Sequence, residues 1–435
     1  MRFRTTHATW IAAGRHHALT TLRGAMTLAS CLIAVTAHAQ TGGRCGVREI
    51  ARWMLSPLPG YELYVEPTML VPSGDDLLLA GLPSYLFRRD GDTTSLIARD
   101  SIFGAVIHRD GTARAVPFPF APVPTSDIRA VPRAGGGWMV TFAELPPSER
   151  IPNDGPVVRL WRGVFDGRAW RSIAQLPIPT HLRLRTRAAS SLVHSGDTLL
   201  LAFPYGSADG GWGVSLYLGD GTEWRQETIP LRGAAYTAVG ISDSLGVLLL
   251  AVHTDSTLRR DRNSLFLYAR RPQWTPVRKL AAGYEEPVHF PELAADPSSA
   301  TITLTWHAIV QDGDRARWEA RAMIGRPDLR QEPVVVLDSS VARGWARARL
   351  GTRHVWLIDH AGAGVDRQLR VVVATAGGAT LLGELPYPFH GTFAGAGTAQ
   401  NELMLAGPLR GEPPRDPGVA TMLMRVRLDC TAEAR

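Results

Sequence analysis

Cysteine, lysine and long apolar runs are all scarce in this chain of 435 residues. Three cysteines occur, Cys31, Cys45 and Cys430, too few for a disulfide-dense scaffold. Lys279 is the one lysine among 47 basic residues. Those bases are balanced by 40 acidic residues, so the concentrated basic face that grips nucleic acid is missing. Because nearly every positive charge is an arginine, any anion site here would be forked and bidentate. Beyond residue 39 no stretch reaches the about 18 uninterrupted apolar residues of a membrane helix, so no transmembrane segment is expected. HExxH, GxSxG, P-loop, CxxC and EF-hand patterns are absent. No cofactor is expected, and no metal.

What is present begins with a leader. Arg2, Arg4, Arg15 and Arg23 stand in an acid-free stretch, an apolar run follows from Ala25 to Thr36, and Ala37-His38-Ala39 has the small-x-small form of a cleavage site. Residues 1–39 are therefore expected to be a signal peptide, with the protein exported to the periplasm or beyond the cell. Leu28-Ala29-Ser30-Cys31 offers a minority alternative, a lipid anchor on Cys31. Without the leader the formal charge drops from +7 to +3, with 43 basic residues against 40 acidic. Cys45 and Cys430 then lie near opposite ends of an exported chain, which predicts a single disulfide between them.

Forty-three glycines and 31 prolines punctuate the chain, as many tight turns require. Period-2 patterning recurs throughout, while helical periodicity is confined to Val47–Leu55, a candidate short helix. The clearest unit is Ala188–Phe203, a short strand, a turn at Ser195-Gly196-Asp197 and a second, very apolar strand. Six further copies align with it: Thr68–Leu82, Asp127–Leu145, Tyr236–His253, His289–Trp306, Trp345–His360 and Phe389–Ala406. Turn-to-turn spacings of about 47 to about 62 residues suit a blade of four strands. A second hairpin lies between the copies. Val164-Phe165-Asp166-Gly167 leads to Trp170, and Leu216–Leu218 with Asp220-Gly221 leads to Trp224. Asp-Gly is a strong hairpin signal because both residues tolerate positive φ, and the tryptophan after it is placed to pack between blades.

The expectation is an all-β, seven-bladed β-propeller, with six blades as the alternative, built of four-stranded antiparallel blades. Residues 40–60 form a lead-in, 61–430 a single propeller domain and 431–435 a tail. The last blade lacks a strand after Ala420–Leu428. Tyr61–Val65 is expected to supply it and so close the ring from the N-terminal side.

These hairpins resemble the sialidase-like, BNR (Asp-box) propellers, whose turn has the form Ser-x-Asp-x-Gly-x-Thr-Trp. Asp166…Trp170 and Asp220…Trp224 lack the serine, and glycine follows aspartate directly. The resemblance implies the blade architecture. It also implies, as an alternative function, a glycoside hydrolase acting on an acidic glycan with an arginine triad, a Tyr/Glu pair and an Asp.

Propellers bind ligands near the ends of their innermost strands. On those strands Arg129, Arg187, His289, Arg347 and His390 are candidate ligand-binding residues. Glu292, with Tyr236 or His289, is the candidate for acid–base work. Whether the chain is an enzyme is left open. The first reading is a monomeric binding module for an anionic small molecule, a glycan or a protein partner on one face. His354 and His360 share parity along one strand with Asp359 beside them, and Asp312-Gly313-Asp314 forms an acidic turn. Both read as ordinary structure before they read as metal sites.

Overall fold

The computed structural model describes the strands named below with positions 45, 55–56, 74–75, 108–112, 133–137, 166–169, 176–177, 223, 326, 332–334, 339–340, 351, 362, 366, 376–377, 387–389, 392–393, 401 and 409. β1 is Gly46–Met54. A first sheet comprises β2 (Tyr61–Ser73), β3 (Asp76–Asp90), β4 (Thr93–Arg99), β5 (Ile102–Ile107) and β6 (Ala113–Pro117). The second is β7 (Thr125–Pro132), β8 (Trp138–Glu144), β9 (Arg159–Phe165) and β10 (Trp170–Gln175). The third is β11 (Leu182–Leu184), β12 (Ser191–Ser195), β13 (Thr198–Ser207), β14 (Trp212–Gly219) and β15 (Trp224–Ile229). The fourth is β16 (Tyr236–Ser242), β17 (Gly246–Thr254), β18 (Asn263–Arg271) and β19 (Gln273–Ala281). The fifth is β20 (Val288–Asp296), β21 (Thr301–Asp312), β22 (Arg315–Gly325) and β23 (Val335–Asp338). The sixth is β24 (Val341–Leu350), β25 (Arg353–Ala361), β26 (Arg367–Thr375) and β27 (Gly378–Pro386). The last joins β28 (Ala394–Ala399), β29 (Glu402–Pro408) and β30 (Thr421–Asp429) to β1.

Each sheet is antiparallel, with four strands in succession except that β4 also pairs with β3, β11 and β12 both pair with β13, and β1 completes the last sheet. Each inner strand packs against the sheet before it. Chain order, sheet order and packing order coincide, which is the arrangement of a β-propeller with four-stranded blades. The seven inner hairpins turn where the sequence places their turns. Ser73 pairs with Asp76, Pro132 with Trp138 and Ser195 with Thr198. Ser242 pairs with Gly246, Asp296 with Thr301, Leu350 with Arg353 and Ala399 with Glu402.

The apolar second strands are explained by burial on both faces. In β3, Leu77 and Leu79 pack with Met404 and Leu423 of the last sheet, while Leu78 and Ala80 pack with Val140 and Phe142 of the second. In β13, Leu199 and Leu201 face the second sheet, and Leu200 and Ala202 face Val239 of the fourth. Outer strands have no such double burial, and β27 is largely exposed or half-buried along its length. The tryptophans after the Asp-Gly turns do pack between sheets. Trp170 joins the core shared by the first and second, and Trp224 packs on the core shared by the second and third. At the β7–β8 turn Gly137 has φ +72°, and a Cβ there would stand 2.3 Å from the Phe165 carbonyl oxygen, so glycine is required.

Two expectations are corrected at the N-terminal end. Val47–Leu55 is not a helix. It supplies β1, whose residues pair in register from Gly46 with Asp429 to Met54 with Met422. Backbone pairing to a ready edge, with Leu55 buried among Leu77, Met404 and Leu423, outweighs the weak helical period. This strand lies inside the stretch expected to be only a lead-in. Tyr61–Val65 is not the partner of the last sheet. It opens β2 and pairs with Ser84–Arg88 of β3. Among the described residues no helix is long and apolar enough to cross a membrane.

Candidate functional site

β20 and β24 are the inner strands of neighbouring sheets. On β24, Ala346 and Ala348 are buried toward the last sheet, which turns Trp345 and Arg347 toward the fifth. On β20, Leu293 is buried and Glu292 is half-exposed. The result is a contact between two of the residues singled out in the sequence. Arg347 Nε donates to Glu292 Oε2 at 3.2 Å, and Arg347 NH1 lies 3.4 Å from His354 Nδ1. The pair keeps 25% and 37% of its side-chain surface, so solvent reaches it. Its charges largely cancel. What the cluster presents is a mixed set of donors and acceptors rather than a bare cation.

The seam between the fifth and sixth sheets continues in the same polar and aromatic character. Trp356 Nε1 donates to the buried Thr305 hydroxyl at 3.2 Å. His307 is buried between Trp345, with ring centroids 3.9 Å apart, and Trp318, 5.4 Å away. At the far end of β25, His360 Nδ1 is 2.9 Å from Asp338 Oδ1. The same carboxylate receives Ser340 N at 2.7 Å and Arg370 NH1 at 3.2 Å. Asp338 is almost fully buried, so these bonds replace the water it has lost. Alternate residues of β25 point the other way, where buried Asp359 accepts Arg367 Nε at 2.8 Å and Arg367 stacks over Tyr387.

Of the remaining candidates for ligand binding or acid–base work, one has its side chain among the described residues. Arg129, on β7, donates from NH1 to the Ile128 carbonyl at 3.2 Å. Tyr236 and His289 lie on β16 and β20, and His289 pairs in register with His307; the side chains of both fall outside the described residues. Arg187, His390, Cys31 and Cys430 also fall outside them. Cys45 is buried immediately before β1. The two histidines of β25 do not meet. His354 and His360 do share a face of β25, but six residues of strand separate them by about 20 Å. His354 serves Arg347, His360 serves Asp338 and Asp359 serves Arg367. Of the acidic turn after β21, Gly313 and Asp314 fall outside the described residues. Among the described residues no three His, Cys, Asp or Glu side chains form a metal-binding group.

Sequence reasoning missed Thr305, His307, Trp318, Trp345 and the Asp338–Arg370 pair. A signal was available on β21. Thr301, Thr303, Thr305 and His307 alternate with Ile302, Leu304, Trp306 and Ala308. Both faces of a second strand are buried, so a polar alternate face marks a polar seam.

No family model matches the chain, and no curated protein does. Solved structures do resemble it. A protein of unknown function from Dyadobacter fermentans is 11% identical over 88% of this chain and 99% of its own, with a TM-score of 0.44. A GH93 α-L-arabinofuranosidase of Fusarium graminearum, in complex with arabinobiose, is 13% identical over 70% of this chain and 93% of its own, with a TM-score of 0.45. A GH43_1 enzyme from Xanthomonas citri, complexed with xylotriose, is 15% identical over 73% of this chain and 91% of its own, with a TM-score of 0.33. At these identities and TM-scores the likenesses carry no statement of activity.

Proposed function

We propose that the protein is an exported, monomeric ligand-binding propeller that takes a glycan at the Glu292–Arg347–His354 cluster. The observation that carries this reading is the Arg347–Glu292 pair itself, half-exposed on adjacent inner strands. A guanidinium and a carboxylate side by side offer donors and acceptors at the spacing of neighbouring hydroxyls. Among the described residues Glu292 is engaged by the Arg347 guanidinium. That arrangement suits recognition better than acid catalysis, so binding is preferred to hydrolysis. Closure of the sheets into one ring is supported where β1 completes the last sheet and β2 packs against β28 and β29. The pairing of Gly46 with Asp429 supports a Cys45–Cys430 disulfide beside that junction, since each cysteine is the next residue outward. The leader directs export, with simple secretion preferred to an anchor on Cys31.

The test is a turnover assay of the exported form on fluorogenic glycosides, acidic and neutral, beside a binding measurement on the same sugars. Binding without turnover is the expected result. Turnover abolished by Glu292→Gln would overturn the binding reading in favour of a hydrolase.

A further inference from the structure

The two inner strands that hold the Glu292–Arg347 pair both break register at the same end. β20 shifts between His289 and Glu292, and β24 shifts between Val341 and Trp345. Pro291 lies in the first shift and has no N–H to give the ladder, which accounts for it. Gly344 lies in the second. A Cβ built on it would meet nothing within 4 Å among the described residues, so space stands open beside the strand there. Irregularities of this kind re-aim the side chains that follow them. Here those side chains are Glu292 and Trp345.

From Trp345 onward β24 pairs regularly, Trp345 with Ile358 and Arg347 with Trp356. Trp345 and Arg347 therefore stand on one side of the strand, about 7 Å apart along it. The indole is half-buried. It is held by the buried His307, at 3.9 Å between ring centroids and 80° between planes, and His307 is backed in turn by Trp318. An aromatic ring fixed in this way offers contact area at little ordering cost. The C–H face of a sugar ring is apolar and lies against an indole, while hydroxyls at its rim reach the guanidinium of Arg347 and the carboxylate of Glu292. We propose that Trp345 is the stacking platform of this site and that the unit it takes is a hexopyranose laid with its C–H face on the indole. This rests on the reading of the Glu292–Arg347–His354 cluster as a glycan site and adds the ring that orients the sugar there.

Methyl β-D-glucopyranoside and methyl β-D-galactopyranoside are the probes, with sorbitol as a control that carries hydroxyls without a ring face. Saturation-transfer NMR of the full exported chain follows each. In the glucoside the axial C–H bonds alternate between the two faces, so a stacked ring receives saturation on one alternate set of protons. Saturable, one-faced transfer to at least one glycoside and none to sorbitol is the expected result. Trp345→Ala should weaken that binding about tenfold, and Trp345→Phe should restore it to within about threefold of the parent. The one-faced pattern is read on the parent, so it tests the proposal even where Trp345→Ala does not fold. Loss on Arg347→Ala with parent-like binding by folded Trp345→Ala overturns the platform and leaves the cluster reading standing. Loss on Trp345→Ala with parent-like binding by Arg347→Ala supports the platform and removes the cluster reading. The proposal is also overturned if the parent binds neither glycoside, if transfer is equal on both faces, or if sorbitol binds as well as the glycosides.

Discussion

Arg347 Nε donates to Glu292 Oε2 at 3.2 Å, joining two residues 55 positions apart on the inner strands of neighbouring sheets. The pair is partly open to solvent, so its contribution to stability is small, about 0.2–1 kcal/mol in a double-mutant cycle. Arg347→Ala and Glu292→Ala should each unfold in urea close to the parent while weakening glycan binding. A loss of several kcal/mol on either substitution would recast the pair as structural.

The buried carboxylate of Asp359 should behave in the opposite way. It is fully enclosed and held by Arg367, which in turn stacks 4.1 Å over Tyr387. Asp359→Ala removes the buried carboxylate that holds that arginine and is expected to cost about 3–5 kcal/mol in urea unfolding. Glycan binding, measured where the variant remains folded, should be unchanged.

Asp166 gives a pH signature at the β9–β10 turn. Backbone N–H groups of Ala169 and Arg168 donate to its carboxylate, and with Arg171 they lower its pKa from 3.8 to about 2. A depressed folded pKa stabilises the protein above the unfolded value, and the benefit is lost as pH falls through the folded value. The stability gap between parent and Asp166→Asn should therefore be constant near neutrality, shrink below about pH 4 and vanish near about pH 2. Acid titrations of both proteins by circular dichroism check this.

Tyr217 supplies the alkaline counterpart. Burial raises its hydroxyl from 10.0 to about 12, because the phenolate would be formed away from water. A raised folded pKa means that stability is fully present below the unfolded value and falls as pH climbs through the folded one. Tyr217→Phe should therefore resist unfolding better than the parent between about pH 10 and pH 12. An equal alkaline midpoint for the two would show that Tyr217 does not titrate with unfolding.

The inner hairpins were legible because double burial writes itself as an apolar run bounded by turn residues. Leu77–Ala80 and Val355–Ile358 are plain examples, with alternate side chains feeding opposite neighbours. β1 was not legible for a converse reason. Val47, Ile50 and Trp53 fit a helical and an extended reading alike, and the edge of β30 that selects between them is some 380 residues away in sequence. The Arg347–Glu292 contact was half legible. Inner-strand position named both residues, but only the facing of β24 against β20 joins them. The polar seam around His307 was legible only as the alternation of Thr301, Thr303, Thr305 and His307 along β21, which gains its meaning once both faces of that strand are known to be buried.

The central claim is that the Glu292–Arg347–His354 cluster is a recognition site. Its most direct test compares the parent protein and Arg347→Ala on one glycan array carrying neutral and acidic oligosaccharides. Saturable capture of at least one saccharide class by the parent, lost in Arg347→Ala while the unfolding midpoint is kept, is the predicted result. Identical capture by the two proteins, or no capture by the parent, would contradict it.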